Sequence, residues 1–190
     1  GNAGKKVVVV EVTYPDGSKD EIEVPVRKEK DADKATPKVK DEFASGEVPV
    51  SVDPSKDKKV TEADKKAITD AVVVPEGQPQ PTDKQVKNDG EIVDGKDGNA
   101  GKKVVVVEVT YPDGSKDEIE VPVKESDASK TTPKVKDEVT TAGGVAVGVD
   151  PTKATKVTEQ KDKDAITDAV VVPEGQPQPK TKVVKNDGAI

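Results

Sequence analysis

The residues able to do chemistry are, first of all, carboxylates. The 190-residue chain holds 38 Asp and Glu against 31 Lys and Arg, with no His and no Cys. Catalysis needs positioned acids, bases, nucleophiles or metals. Without His and Cys the commonest bases, metal ligands and thiol nucleophiles are missing. No G-x-S-x-G nucleophile elbow occurs, and nothing in the carboxylate spacing isolates a pair. The pattern reads as a solvated acidic surface, and no enzyme is expected.

The densest set of hard oxygen donors lies in "DGKDGNAGKK" at 94–103. Asp94, Asp97 and Asn99 are ligands of the kind Ca2+ takes. The EF-hand spacing and its closing Glu are absent, and Asp-Gly pairs also mark plain turns. No other cofactor is indicated. Gly95, Gly98 and Gly101 recur every three residues, which fits neither the dinucleotide nor the P-loop fingerprint. Lys with Asn or Asp could close an isopeptide crosslink, but that calls for an apolar, usually aromatic pocket. The only aromatics are Tyr14, Phe43 and Tyr111. Tyr14 and Tyr111 could stack on a ligand. A Tyr ahead of a Pro-Asp-Gly turn more often packs over the end of a β-unit. "PEGQPQP" at 75–81 could dock a polyproline-binding partner; lacking a flanking basic residue, it reads as an extended polyproline II connector.

These residues must be positioned by strands. The apolar content is nearly all Val with some Ala and Ile, and there is no Leu. β-branched side chains suit a pleated, half-buried surface, so a mostly β fold with small, thin cores is expected. The net charge of −7 argues against nucleic acid, which calls for a basic surface, and against an anionic membrane. No apolar stretch approaches the roughly 20 residues that span a bilayer. No leader pattern opens the chain, as expected of an internal stretch if the parent is exported.

The stretch "NAGKKVVVVEVTYPDGSKDEIEVPV" occupies residues 2–26 and recurs unchanged at 99–123. "AITDAVVVPEGQPQP" is likewise identical at 67–81 and 165–179. Tyr14 pairs with Tyr111 at an offset of 97, Pro37 with Pro133 at 96, Asp53 with Asp150 at 97 and Ala71 with Ala169 at 98. A unit has therefore been duplicated, with single-residue indels in connecting segments.

Within a unit, "KKVVVVEVTY" alternates, with Val8, Val10, Val12 and Tyr14 on one face. Tyr14, Pro15, Asp16 and Gly17 form the turn, as do Tyr111, Pro112, Asp113 and Gly114, with Gly at the positive-φ position. "KDEIEVPV" returns with Ile22, Val24 and Val26 on one face, which predicts a hairpin. Pro25 marks an edge there. "EVPVSVDP" at 47–54 and "GGVAVGVDP" at 143–151 read as a further strand. Thr61 is an N-cap with Asp64 three residues on. Ala63, Ala67, Ile68, Ala71 and Val72 recur at helical spacing, which predicts a helix over about 62–71. Thr158 opens its equivalent. "KNDGEI" and "KNDGAI" are turns leading to a strand.

Four segments carry a resemblance: "DADKATP" at 31–37, "VTEADKKAITDAV" at 60–72, "VPEG" at 74–77 and "VTYPDGSKDEIEV" at 12–24. The second copy has "SDASKTTP", "VTEQKDKDAITDAV", "VPEG" and the same YPDG hairpin. In this cyclic order the chain resembles the long Rib/alpha-like tandem repeats of Gram-positive cell-wall-anchored surface proteins. The resemblance implies Ig-like β-sandwich units, each with one short helix, strung in extracellular stalks. It implies no catalytic residues. It also sets a phase: 1–26 is the trailing hairpin of a preceding unit, 27–123 a complete unit, and 124–190 a second unit without its hairpin. The alternative phase is two permuted units, 1–96 and 97–190.

The function expected is a spacer of a bacterial adhesin, projecting a distal binding region from the cell wall. Repeats that themselves bind host ligands, or self-associate in cell–cell adhesion or biofilm, are the alternative. The partners expected are neighbouring repeats and, by strand addition from residues 1–26, a second copy of the chain.

Overall fold

The computed structural model describes residues 1–190. In chain order the strands are β1 (Val7–Thr13), β2 (Lys19–Pro25), β3 (Lys38–Val39), β4 (Val48–Val50), β5 (Val72–Val73), β6 (Asp83–Val86), β7 (Val93–Asp94), β8 (Lys103–Thr110), β9 (Lys116–Glu125), β10 (Lys134–Val135) and β11 (Val170–Val171). The helices are α1 (Asp31–Lys34), α2 (Glu62–Ala71), α3 (Asp137–Thr141) and α4 (Gln160–Asp168). The fold is mostly β, as the Val-rich composition predicts.

The repeated 25 residues form the same hairpin twice. Val8 faces Val24 and Val10 faces Ile22 in β1–β2; Val105 faces Val121 and Val107 faces Ile119 in β8–β9. Each turn closes on the Gly that sequence places there. The Gly17 N–H donates to Tyr14 O, and the Gly114 N–H to Tyr111 O, both at 2.9 Å. The two glycines have φ of 85° and 79°, a region that costs Gly no steric strain.

The surroundings of the hairpins differ. β8–β9 lies inside a five-stranded sheet of order β4-β9-β8-β6, with β7 also paired to β8. β4 runs parallel to β9; β6 and β7 run antiparallel to β8. Pro122 sits where the β9 edge ends. The residues before it pair only with β8, and β4 joins from Val123 onward. The edge expected at the equivalent of Pro25 is therefore confined to the first part of the returning strand. β3 and β5 form a separate two-stranded ribbon.

The core gathers Val48, Val50, Val60, Ile68, Ala71, Val72, Val105, Val107, Val109, Tyr111 and Val121 with their neighbours, all between Ala35 and Val123. Fully burying a Val side chain stabilises by roughly 1.5–3 kcal/mol, so the Val face of β8 is the largest single contribution to this unit. α2 closes over it through Ile68 and Ala71. Of the expected apolar helix positions, Ala63 and Ala67 are exposed instead, because the helix has only 10 residues and a narrow buried stripe. A capping box starts α2 as expected: Thr61 Oγ1 accepts from the Asp64 N–H, and Asp64 Oδ2 accepts from the Thr61 N–H, each at 3.2 Å.

Residues 124–190 repeat only part of this. β10–β11 matches the β3–β5 ribbon. Segments 143–151 and 181–184 contain no strand, although the first was expected to be one. Their counterparts β4 and β6 pair with β9 and β8. Without that hairpin there is no ladder for them to join, and the ribbon that needs only itself survives. α4 is also displaced from expectation. Its N-cap is Glu159, whose side chain makes no capping bond, and not Thr158. The extra residue in "VTEQKD" separates Thr158 from Asp162 by four. The helix keeps Asp162 at its third position, where its Oδ2 accepts from the Gly148 N–H at 2.7 Å, and Thr158 loses the capping slot. The helices α1 and α3, each little more than one turn, add to the single helix expected per unit.

Candidate interaction site

The site is built on the hairpin's apolar face. In β8–β9 that face is closed: Val105, Val107 and Val109 have no solvent exposure, and Tyr111 is 1% exposed. The Tyr111 hydroxyl donates to Asp117 Oδ2 at 3.0 Å, and burial together with that carboxylate pushes its pKa up. Tyr111 is thus a packed core residue and presents no ring for a ligand.

The turn is clasped by the other end of its unit. The Asp31 N–H donates to Asp113 Oδ2 at 2.8 Å, and the Ala32 N–H to Ser115 Oγ at 2.9 Å. The Asp113 N–H donates back to Asp31 Oδ2 at 3.3 Å. These donors are the first N–H groups of α1, which have no intrahelical partner. The Ser115 hydroxyl, the α1 N–H and the Ser115 N–H hold the Asp113 carboxyl at about 2.

The first copy of the same 25 residues is open. Val8, Val10, Val12, Tyr14, Ile22, Val24 and Val26 are all exposed, Val10 by 43% and Tyr14 by 45%. β1 and β2 pair only with each other, and an isolated hairpin is at best marginally stable in water. Asp16 and Ser18, counterparts of Asp113 and Ser115, bond each other: Ser18 N–H to Asp16 Oδ1 at 3.0 Å.

A complementary surface lies in residues 124–190. A groove of about 330 Å3 runs between Ala128, Pro133, Val170, Val172, Pro179 and Lys182. The counterparts of Val170 and Val172 are Val72 and Val74, which belong to the core shared with Tyr111. Lys182 Nζ donates to Val170 O at 3.0 Å, as Lys84 Nζ donates to Val72 O at 2.7 Å. The groove is the place a hairpin occupies in the other unit.

The remaining sequence candidates are accounted for by local structure. Asp94 pairs with Lys103 at 2.7 Å. Asn99 Nδ2 donates to Glu120 Oε2 at 3.2 Å. Asp97 opens a single 3-10 turn, Asp97–Asn99, between β7 and β8. A Cβ on Gly95 would lie 2.3 Å from Asn99 O, so the glycine serves a tight backbone approach. Asp94 and Asn99 engage different partners, and no three His, Cys, Asp or Glu groups converge as a metal site. The buried Asp64 carboxylate is structural: it accepts from Ser51 N–H at 2.9 Å and Ser51 Oγ at 2.7 Å.

"PEGQPQP" is a correction. It was expected to be an extended polyproline II stretch, yet Gln78 N–H closes a turn on Pro75 O at 3.3 Å, with Gly77 at φ 84°. Gln78 Oε1 then accepts from the Thr36 N–H at 2.8 Å and from Thr36 Oγ1 at 2.9 Å. Gln176 and Thr132 repeat this pin in the second copy. The glutamines tie the segment inward and leave no regular Pro ridge for a partner. The α1 clasp was not foreseen from sequence.

No helix is long and apolar enough to cross a membrane. The Rib domain sequence model matches residues 1–29 and 31–124. The C protein alpha-antigen of Streptococcus agalactiae serotype Ia is 37% identical over 182 residues, covering 90% of this chain. This chain spans 14% of that relative's length. No solved structure matches. The DADK clasp, the capped helix and the YPDG hairpin all fall within matched residues, and the chain belongs to the Rib domain family.

Proposed function

We propose that the chain is a run of stalk repeats from a Gram-positive surface protein, holding a distal binding region away from the cell wall. The carrying observation is that the carboxylates and amides with defined partners hold the fold together. Asp113 accepts from the first N–H of α1, Asp64 ties the start of α2 to Ser51, Gln78 pins its turn, and Asp89 pairs with both Lys59 and Lys65. A family member 37% identical is named an antigen, which supports exposure at the bacterial surface. No enzymatic role is proposed.

In this reading each unit opens at the DADK segment and closes with the YPDG hairpin. The core confined between Ala35 and Val123 supports that phase, and so does the break in the family match at residue 30. The acidic, mixed-charge surface keeps a repetitive array soluble. The test is small-angle scattering of residues 1–190. A compact globule of this length would have a radius of gyration of about 16 Å. A clearly larger value with an elongated profile is expected; a value near the compact one overturns the stalk reading.

A further inference from the structure

We propose that the Asp97–Gly98 step is a self-modification site: Asp97 converts to isoaspartate, while the fold holds the other five Asp-Gly steps of the chain unreactive. This does not depend on the stalk role. The six steps are 16–17, 89–90, 94–95, 97–98, 113–114 and 187–188. Each can close a succinimide ring in principle, because Gly puts no Cβ beside its own nitrogen. The Gly nitrogen attacks the carbon of the Asp side-chain carboxyl. A C–N bond forms, and the carboxyl hydroxyl leaves as water with the N–H proton. Water then opens the ring by breaking the bond between the Gly nitrogen and the Asp main-chain carbonyl carbon. The chain now runs through the side-chain carbon, one atom longer, and the former main-chain carbonyl is a free carboxylate. The water released on closure is regained on opening, so no cofactor or further reactant is needed.

Ring closure requires two free groups, the Gly nitrogen and the Asp carboxyl. In five steps neither is free. The N–H groups of Gly17, Gly90, Gly95, Gly114 and Gly188 each donate to a main-chain carbonyl, at 2.8–3.0 Å. Their aspartates are engaged as well. Asp16 and Asp113 accept from Ser18 and Ser115. Asp94 pairs with Lys103, and Asp89 and Asp187 each pair with two lysines. These partners keep the carboxyls ionised, and a carboxylate is a poor electrophile. Asp97–Gly98 is the exception. The Gly98 N–H donates to no group, and the Asp97 carboxylate has neither a hydrogen bond nor an ion pair. Both residues are exposed. A Cβ on Gly98 would meet nothing within 4 Å, so the approach to its nitrogen is open. The bonds of the turn run around the step: Asn99 N–H donates to Lys96 O at 2.8 Å and Ala100 N–H to Asp97 O at 3.2 Å.

The test ages the 190-residue chain in warm, mildly acidic buffer and locates isoaspartate at each of the six steps by electron-transfer mass spectrometry. The same chain aged in denaturant supplies a reference rate for each step, which removes differences of local sequence. Relative to that reference, Asp97 is expected to convert about tenfold or more faster than any other step, because the others must first open locally. Gly98→Ala places a methyl beside the attacking nitrogen and has room for it; it should lose most of the conversion at 97. The proposal is overturned if the six steps convert at equal relative rates, if another step leads, or if conversion at 97 is undiminished in Gly98→Ala.

Discussion

Asp31 and Asp113 bond each other reciprocally across 82 residues: the N–H of each donates to the Oδ2 of the other, at 2.8 and 3.3 Å. A helix start thereby holds a hairpin turn far along the chain. Asp113→Ala should lower the melting temperature of the unit, while Asp16→Ala, at the same place in the unclasped copy, should leave it unchanged. The pH sign follows from a folded pKa held at about 2, below the usual 3.8. The stabilising contribution is present in full above the usual value and is lost as pH falls through about 2. Carboxyl titration followed by NMR checks the value, and acid melts of the two variants check the sign. The local Ser115 hydroxyl depresses the carboxyl first and the α1 N–H adds to it, so an Asp113 that titrates together with Asp16, which the local Ser18 bonds alone depress, would show the clasp to be absent in solution.

Val107 and Val10 are the same residue in the same 25-residue sentence, one fully buried and the other 43% exposed. Val107→Ala removes two buried carbons and leaves a cavity, at a cost of about 2 kcal/mol. Val10→Ala should leave the unfolding transition of the 27–123 unit unchanged within error. Denaturant melts of both variants measure the difference. Equal destabilisation would mean that both hairpins are packed.

That pair also marks how far the sequence can be read. The alternation in "VVVVEVTY", the Pro-Asp-Gly turn and the Thr61–Asp64 cap are local, and each appears where the spacing predicts it. Whether the Val face is covered is not local, because the two copies are identical and their exposure is opposite. It depends on β4, β6 and α1 being present around the hairpin. The same dependence removed the expected strand at 143–151, whose pairing partner is not in its own half. Thr158 failed as a cap because one inserted residue moved Asp162 out of reach, and the helix followed the Asp. The turn in "PEGQ" had its Gly in plain view, but the pin from Gln78 to Thr36 spans 42 residues. At the candidate site the hairpin was legible, and the bonds by which α1 clasps its turn were not.

Asp64 is 6% exposed and joins the start of α2 to the chain just after β4. Burial pushes its carboxyl up, but hydrogen bonds from Ser51 and Thr61 outweigh this and hold it below 3.8. Asp64→Ala leaves the Ser51 and Thr61 N–H groups without this acceptor, which should cost about 2 kcal/mol. Asp64→Asn keeps one acceptor oxygen and should cost less. Because the folded pKa is depressed, the contribution holds above the usual value and fades as pH drops below it. Urea melts at neutral pH and at acid pH, compared for the parent and Asp64→Asn, give the test. The gap between the two proteins should narrow in acid.

The turn at 94–101 separates a metal site from a backbone device. Asp94 Oδ1 is engaged with Lys103, Asn99 Nδ2 donates to Glu120, and no three His, Cys, Asp or Glu groups converge around the turn. Excess Ca2+ or a chelator should therefore leave the melting temperature unchanged. Gly95→Ala should lower it, because the added Cβ would sit 2.3 Å from Asn99 O, well inside ordinary contact, and neither group is a flexible side-chain end that can swing away. Relief would require the backbone to shift between β7 and β8, where Gly95 N–H donates to Lys102 O at 2.8 Å. A calcium-dependent rise in melting temperature that Asp97→Ala removes would reverse this assignment and make the turn a cation site.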